Sequence, residues 1–373
     1  MQVPQQECGE ANGQSAPVGL CLVGCGRISN AHLAALRSMV GDMRLVAAVD
    51  VSLDAACAVA QMHGGHATTD LQEALALREV DAVLVASPNA LHYDHTLAAI
   101  RAGKHVLVEK PLAPTGAEAR DLAHAARQAG VVLAAGHTYR HGPAFHYLVD
   151  HWADFGKLMA VEVTSCVRWN GPQAPWWAER TPAEGLILSL FAPHSLDFVQ
   201  LCMGADDPLR VHAEAARWQT GWQGEDQAMI LLAYPGRRMA SVHISYNQPS
   251  IIDRKVLHFS GGVVEIEDGE FLRFNRELLV APPPGVVRDG RVMGGRDLSH
   301  YFRNQLAEFT AAVRGQPNRC VTGDDAARTI DLMDWVLADA RANAADAIDP
   351  PVPPELALDI ESKVMTDAFN RAG

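Results

Sequence analysis

Residues 85–113 read VASPNALHYDHTLAAIRAGKHVLVEKPLA. One apolar run ends at Ser87-Pro88-Asn89, a helical pattern covers Ala90 to Ala102, and a second apolar run, Val106 to Val108, stops at Glu109-Lys110-Pro111. Continuous apolar strands joined by a helix belong to a parallel sheet covered on both faces. Pro111 ends the ladder because it has no N–H to give. Sheets of this kind hold ligands in the crevice at the carboxyl ends of their strands, so an amine placed there can act on a bound molecule. Lys110 is therefore the first candidate catalytic residue.

The same rhythm extends over Val18 to Gly136, through VGLCLVG, RLVAAVD, DAVLVAS, HVLVEK and VVLAAGH. Beyond Gly136 the pattern changes. Val161, Val163, Val167 and Trp169 alternate with Glu162, Thr164 and Arg168, as in a strand with one apolar and one polar face, and five similar runs follow up to GVVEIED. The expected fold class is α/β plus α+β: a doubly wound parallel domain, then an open, mostly antiparallel sheet. Phe302, Leu306, Phe309 and Val313 recur at helical spacing, and a second helix is expected around Ala326 to Ala345. The expected organisation is a disordered arm at 1–17, a dinucleotide domain at 18–136 and a substrate and oligomerisation domain at 137–300. Helices at 301–348 are expected to pack back on the first domain, with a tail at 349–373.

Directly after the first strand comes Gly24-Cys25-Gly26-Arg27-Ile28-Ser29, a strand-to-helix turn whose backbone amides can approach a pyrophosphate. The sixth position is Ser29 instead of glycine or alanine. The second strand ends in Asp50, a carboxylate suited to the adenosine ribose hydroxyls and repellent to a 2′-phosphate, with nothing basic in Val51-Ser52-Leu53. Gly24, Gly26, Arg27, Ile28, Asp50, Ser87, Pro88, Asn89, His92, Glu109 and Lys110 form the expected cofactor set, and NAD is expected over NADP. His92 and His95 lie one helical turn apart, but no third ligand stands at a convincing spacing, so no metal is expected.

Bulk properties set the remaining bounds. A chain of 373 residues exceeds the size at which one core stops growing. A net charge of -13 offers no footprint for nucleic acid, and no apolar segment is long enough to cross a bilayer. Seven cysteines, an odd number at irregular spacing with Cys21, Cys25 and Cys57 in apolar runs, look reduced and favour the cytoplasm.

The quoted stretch, together with GCGRIS and the late YFRNQLAEFTAAVRGQP and VTGDDAAR, resembles the glucose-fructose oxidoreductase and inositol dehydrogenase family, Gfo/Idh/MocA, from about Val18 to about Ala345. The resemblance implies a Rossmann domain carrying NAD or NADP and a second domain whose open sheet forms homodimers or homotetramers. It implies that Lys110 is the catalytic lysine, contacting the reacting oxygen and the nicotinamide ribose, and that a histidine of the second domain exchanges the proton. That histidine is His194 in EGLILSLFAPHSLDFVQ, which ends in a His-x-x-Asp at Asp197. The chain departs from the family's pattern here: Glu184 replaces the first of two glycines, and Ser189 stands where an aspartate usually precedes the histidine, with one apparent extra residue before His194.

Hydride transfer from a secondary alcohol leaves a proton that the protein must take. A lysine can steady the developing alkoxide while a histidine accepts that proton. Tyr139, Arg168, Trp177, Ser189 and Asp197 are the expected substrate contacts, in a neighbourhood that also includes Arg140, Trp169 and Trp176. Tryptophan covers the C–H face of a sugar ring, and arginine holds oxygens. The expected function is an NAD-dependent dehydrogenase or reductase of a sugar, inositol or related cyclic polyol. Two alternatives are a redox-neutral NAD-dependent glycoside hydrolase and a non-catalytic dinucleotide-binding sensor of the same fold.

Overall fold

The computed structural model describes residues 16–169, 171, 185–219, 224–282 and 298–344. The expected N-terminal arm and C-terminal tail, Glu184, Trp176 and Trp177 lie outside the described residues. The chain forms two compact units, one of residues up to 109, 124–134 and 302–320, the other of residues 110–123, 135–301 and 321 onward.

In the first unit the order of elements is β1 (Val18–Val23), α1 (Arg27–Leu36), β2 (Met43–Val49), α2 (Leu53–His63), β3 (His66–Thr68), α3 (Leu71–Leu75), β4 (Ala82–Val85), α4 (His92–Arg101) and β5 (His105–Glu109). All pairings are parallel, in the order β5-β4-β1-β2-β3. Every residue of β1 and β4 is buried, as expected of strands covered on both faces. The order reverses between β1 and β4, so Gly24 and Ser87, which follow these strands, stand side by side at the switch point. This is a Rossmann nucleotide-binding domain.

α5 (Gly116–Ala129) and β6 (Leu133–Gly136) each run across a boundary between the units. The second unit continues with α6 (Pro143–Asp150), α7 (Trp152–Phe155), β7 (Leu158–Arg168), α8 (Ile187–Leu190), α9 (Ala192–Met203), β8 (Arg210–Ala216), β9 (Gln227–Ala233), β10 (Met239–Ser245), β11 (Asn247–Phe259), β12 (Gly262–Glu267), β13 (Phe271–Phe274) and β14 (Glu277–Val280). Its sheet runs β14-β13-β12-β11-β7-β10-β9-β8, antiparallel except where β10 meets β7. In β7, Val161 and Val163 are buried and Glu162 is exposed, but Cys166 and Val167 are both buried. The alternation breaks opposite a register shift in β11 between Asn247 and Ile252. The extra residues of β11 interrupt the ladder beside the end of β7, where Trp169 follows.

Ten of the twelve residues of α9 are buried, so any charge on this helix needs a partner. The two late helices part company. α10 (Ser299–Val313) has most of its length in the first unit, where Phe302 meets the His32 ring edge-on at 4.8 Å. After a short strand, β15 (Val321–Thr322), α11 (Gly323–Ala344) packs on β8 in the second unit, and Asp339 accepts from the Ala213 amide at 2.8 Å. No helix among the described residues is long and apolar enough to cross a membrane.

Candidate active site

The turn after β1 is built around Gly24. Its φ is +95°, and a Cβ there would stand 2.7 Å from the Ala86 carbonyl and the Ser87 nitrogen. Only glycine therefore lets the ends of β1 and β4 approach this closely. Gly26 is exposed and caps α1 without help from any side chain, and a Cβ on it would meet nothing within 4 Å. An open helix N-terminus of this kind presents amides and a positive dipole end to an anion. Ser29 is fully buried, and its hydroxyl donates to the Gly26 carbonyl at 2.6 Å, so the departure at the sixth position is a small residue that ties the turn to its own helix. Arg27 is exposed and Ile28 half-buried on that first turn.

Asp50, following β2, accepts from the Cys25 amide at 2.8 Å and the Ser52 amide at 2.9 Å. Its carboxylate is thus fixed beside the glycine turn. Burial, and then the Asp50 charge, push the Cys25 thiol up to about 11, so it stays protonated. Beyond β4, the buried His92 donates from Nε2 to the Ser87 carbonyl at 2.9 Å, and His95 Nδ1 meets the Ser87 hydroxyl at 2.9 Å. These histidines, whose spacing suggested metal ligands, shape the turn that carries Ser87, Pro88 and Asn89. Burial holds His95 below its ordinary value, which keeps it neutral. The residues fit a dinucleotide: uncapped amides, a glycine open where phosphate would approach, and a carboxylate at the next strand end.

Sequence reasoning missed His32. It shares the buried face of α1 with Ser29, Leu33 and Leu36, and its Nε2 lies 2.6 Å from Glu109 Oε1, both side chains being buried. A histidine at the apolar spacing of an amphipathic helix was the available signal.

In the second unit, half-buried Lys110 donates from Nζ to the Leu190 carbonyl at 2.8 Å. Leu190 ends α8, and His194 lies in the first turn of α9. The Nδ1 of His194 is closed off from solvent and has no hydrogen-bond partner among the described residues, although the residue as a whole is only half-buried. Tyr139 meets the ring edge-on at 4.8 Å. Burial first, then the charges of Lys110, His137 and Lys255, hold His194 well below its ordinary value. A neutral imidazole is a proton acceptor at physiological pH.

Ser189 occupies the helix before it, buried, with its hydroxyl donating to the Gly185 carbonyl at 3.1 Å. Asp197 is engaged on both oxygens by Arg140, through Nε at 2.8 Å and Nη2 at 2.7 Å, with His137 Nδ1 at 3.6 Å. Burial alone would raise this carboxyl, but the Arg140 and His137 charges win and lower it. Asp197, expected at the substrate, thus acts on its surroundings through Arg140. Arg168 is half-buried at the end of β7, and Trp177 falls outside the described residues. Three further groups went unforeseen. Lys255 is buried and paired with Asp253, its Nζ lying 5.9 Å from the centre of the Tyr139 ring. Glu225 accepts from the Leu186 and Leu188 amides at 2.7 and 3.1 Å, fixing α8. Nothing in a single strand's alternation marks Asp253 and Lys255 as a buried pair.

Comparison with known proteins identifies the family of both domains. Residues 18–137 match the model of the oxidoreductase family with NAD-binding Rossmann fold, and residues 153–265 match the GFO/IDH/MocA C-terminal domain. The chain is 31% identical over 301 residues to 1,5-anhydro-D-fructose reductase of Ensifer adhaerens, covering 79% of this chain and 87% of that one. It is 30% identical over 219 residues to scyllo-inositol 2-dehydrogenase (NADP(+)) IolU of Bacillus subtilis, covering 55% and 63%. Among solved structures, GenD2 from gentamicin A biosynthesis in complex with NAD superposes with a TM-score of 0.73 at 25% identity, covering 93% of this chain and 98% of that one. With both of its domains matched and a relative aligned along most of its length, the chain belongs to the GFO/IDH/MocA family of oxidoreductases.

Proposed function

We propose that this protein is an NAD-dependent dehydrogenase, or a reductase in the reverse direction, acting on a secondary alcohol of a sugar, inositol or related cyclic polyol. One observation carries the reading: Lys110 Nζ donates to the carbonyl of Leu190 at 2.8 Å, four residues before His194, so the amine and the imidazole are held on the same short stretch of α8 and α9. An ammonium hydrogen bond and an unprotonated base beside one another are what the oxygen of an alcohol needs as its proton leaves. Lys110 turns an N–H to the reacting oxygen, and His194 accepts the hydroxyl proton or returns it.

A nicotinamide dinucleotide supplies the hydride acceptor. The amides of Gly26, Arg27 and Ile28 hold its pyrophosphate, with Gly24 shaping the turn. Asp50 holds the adenosine ribose, which favours NAD over NADP because a 2′-phosphate there would meet a carboxylate. Ser87, Pro88, Asn89, His92 and Glu109 complete the cofactor wall, and Tyr139 and Arg168 contact the substrate. A second copy of the chain covers the open face of the second sheet, where Met229, Leu231 and Met239 are 58–63% exposed. Sedimentation of the chain as a monomer at micromolar concentration would remove that part. The free cysteines fit a reducing compartment, the cytoplasm.

The test is NADH absorbance at 340 nm across a panel of cyclic polyols and glycosides, with wild type and Lys110→Ala. Turnover should fall at least about a thousandfold in the variant, while NAD affinity changes less than about threefold. Substantial residual turnover removes the lysine from the chemistry. Aglycone release without net NADH would indicate the hydrolase, and cofactor binding with neither outcome would indicate the sensor.

A further inference from the structure

Beside His194 the second unit carries a run of aromatic rings that the chemistry above does not use. Phe191 lies 6.3 Å from the His194 ring, and Trp169 lies 6.1 Å from Phe191. Tyr246 backs both, 4.6 Å from Trp169 and 5.6 Å from Phe191, and is fully buried, whereas Trp169 and Phe191 each keep accessible surface. Aromatic residues that stay partly accessible next to a polar reaction centre are where a partly apolar ligand gains contact.

Trp169 is also held unusually firmly. Its amide donates to the Tyr246 carbonyl at 3.0 Å, and its carbonyl accepts from Gln219 Nε2 at 3.0 Å. Gln219 Nε2 also reaches Asn247 Oδ1 at 2.7 Å, and Asn247 Nδ2 donates to Asp226 at 2.8 Å. Asp226 is entirely buried and gathers the Trp218 and Gln219 amides as well, at 3.1 and 2.7 Å. A buried carboxylate with all these donors is a rigid pin. Burying a charge only to hold a loop is expensive, and the return is a tryptophan fixed at both of its backbone groups.

We propose that Trp169 and Phe191 form a specificity shelf that reads the C–H face of a ring substrate while Lys110 and His194 address one of its hydroxyls. The inference rests on the dehydrogenase reading and deepens it by separating ring from chain. A pyranose or cyclitol presents several C–H bonds on one face already in place, which suits a fixed aromatic surface. An open-chain polyol must give up rotational freedom to present the same face. The shelf therefore selects cyclic over acyclic polyols.

Calorimetric titration tests this with methyl α-D-glucopyranoside, myo-inositol and D-glucitol as probes, each added to the chain with and without NADH. Wild type should bind at least one cyclic probe more tightly than D-glucitol. Trp169→Ala should weaken that cyclic probe about tenfold, ~1.4 kcal/mol, with D-glucitol and NADH affinities moving less than about twofold. Trp169→Phe, which keeps a flat face, should recover most of the loss, and Phe191→Leu should reproduce part of it. Equal weakening of ring and chain, unchanged binding in Trp169→Ala, or no binding of either cyclic probe to wild type overturns the shelf. The readout is binding, so a chain that holds the ring through Trp169 yet never reduces NAD sinks the dehydrogenase reading and leaves the shelf standing.

Discussion

Replacing Asp197 by Ala should destabilise the second unit by about 3–5 kcal/mol, the cost of stranding a buried guanidinium. The basis is geometric. Arg140 makes two charge-assisted bonds to the carboxylate, at 2.8 and 2.7 Å, and the side chains are 13% and 4% exposed. Water cannot take over both bonds in so enclosed a site. The double variant Arg140→Met/Asp197→Leu, which removes both charges, should cost no more than about 2 kcal/mol, since a well-packed apolar pair can replace a buried ion pair at little loss. The coupling energy is the difference between the double variant and the sum of its own two singles, Arg140→Met and Asp197→Leu, each of which strands one buried charge, and it should reach at least about 2 kcal/mol. Urea titration followed by fluorescence measures it, provided the slope is unchanged among variants. Because the protein has two units, amide exchange within Ala192–Met203 should confirm that the loss lies there. A single variant within about 1 kcal/mol of wild type, or a double variant as unstable as the sum, refutes the argument.

Gly24→Ala combines a positive φ of +95° with a Cβ 2.7 Å from the backbone at Ala86 and Ser87, so about 2–4 kcal/mol of stability should be lost, along with most NAD binding. A melting temperature and dinucleotide affinity equal to wild type would contradict that geometry. The stability of the fold should fall with acid. Burial first, then neighbouring charges, hold His141 down to about 3 and His194 well below 6.5, so below 6.5 the unfolded chain binds protons that the folded chain refuses. Each such group contributes stability that is complete above 6.5 and declines by up to about 1.4 kcal/mol per pH unit as pH falls. Asp197, lowered in the fold, adds a loss of the same sign below about pH 4. A flat stability profile between pH 7 and 5 would show that neither histidine is neutral in the native state. The same depression should place the acid limb of kcat/KM below pH 6.5, so a half-maximal rate at or above that value would argue against His194 as the base.

The sequence by itself determined what short-range rules govern. The continuous apolar runs, the glycines at a strand-to-helix turn and the proline after Lys110 specify a parallel nucleotide-binding sheet, because period and turn chemistry are decided within a few residues. The strand runs after Gly136 likewise give an open, mostly antiparallel sheet by alternation alone. Long-range pairing was a different matter. Lys110 meets Leu190 across 80 positions, and Arg140 meets Asp197 across 57. No local pattern distinguishes a carboxylate that awaits a substrate from one already satisfied by an arginine. The roles of His32, Lys255 and Glu225, and the shelf of Trp169 and Phe191, were decided by tertiary structure, since which buried polar group finds which partner depends on how whole elements pack.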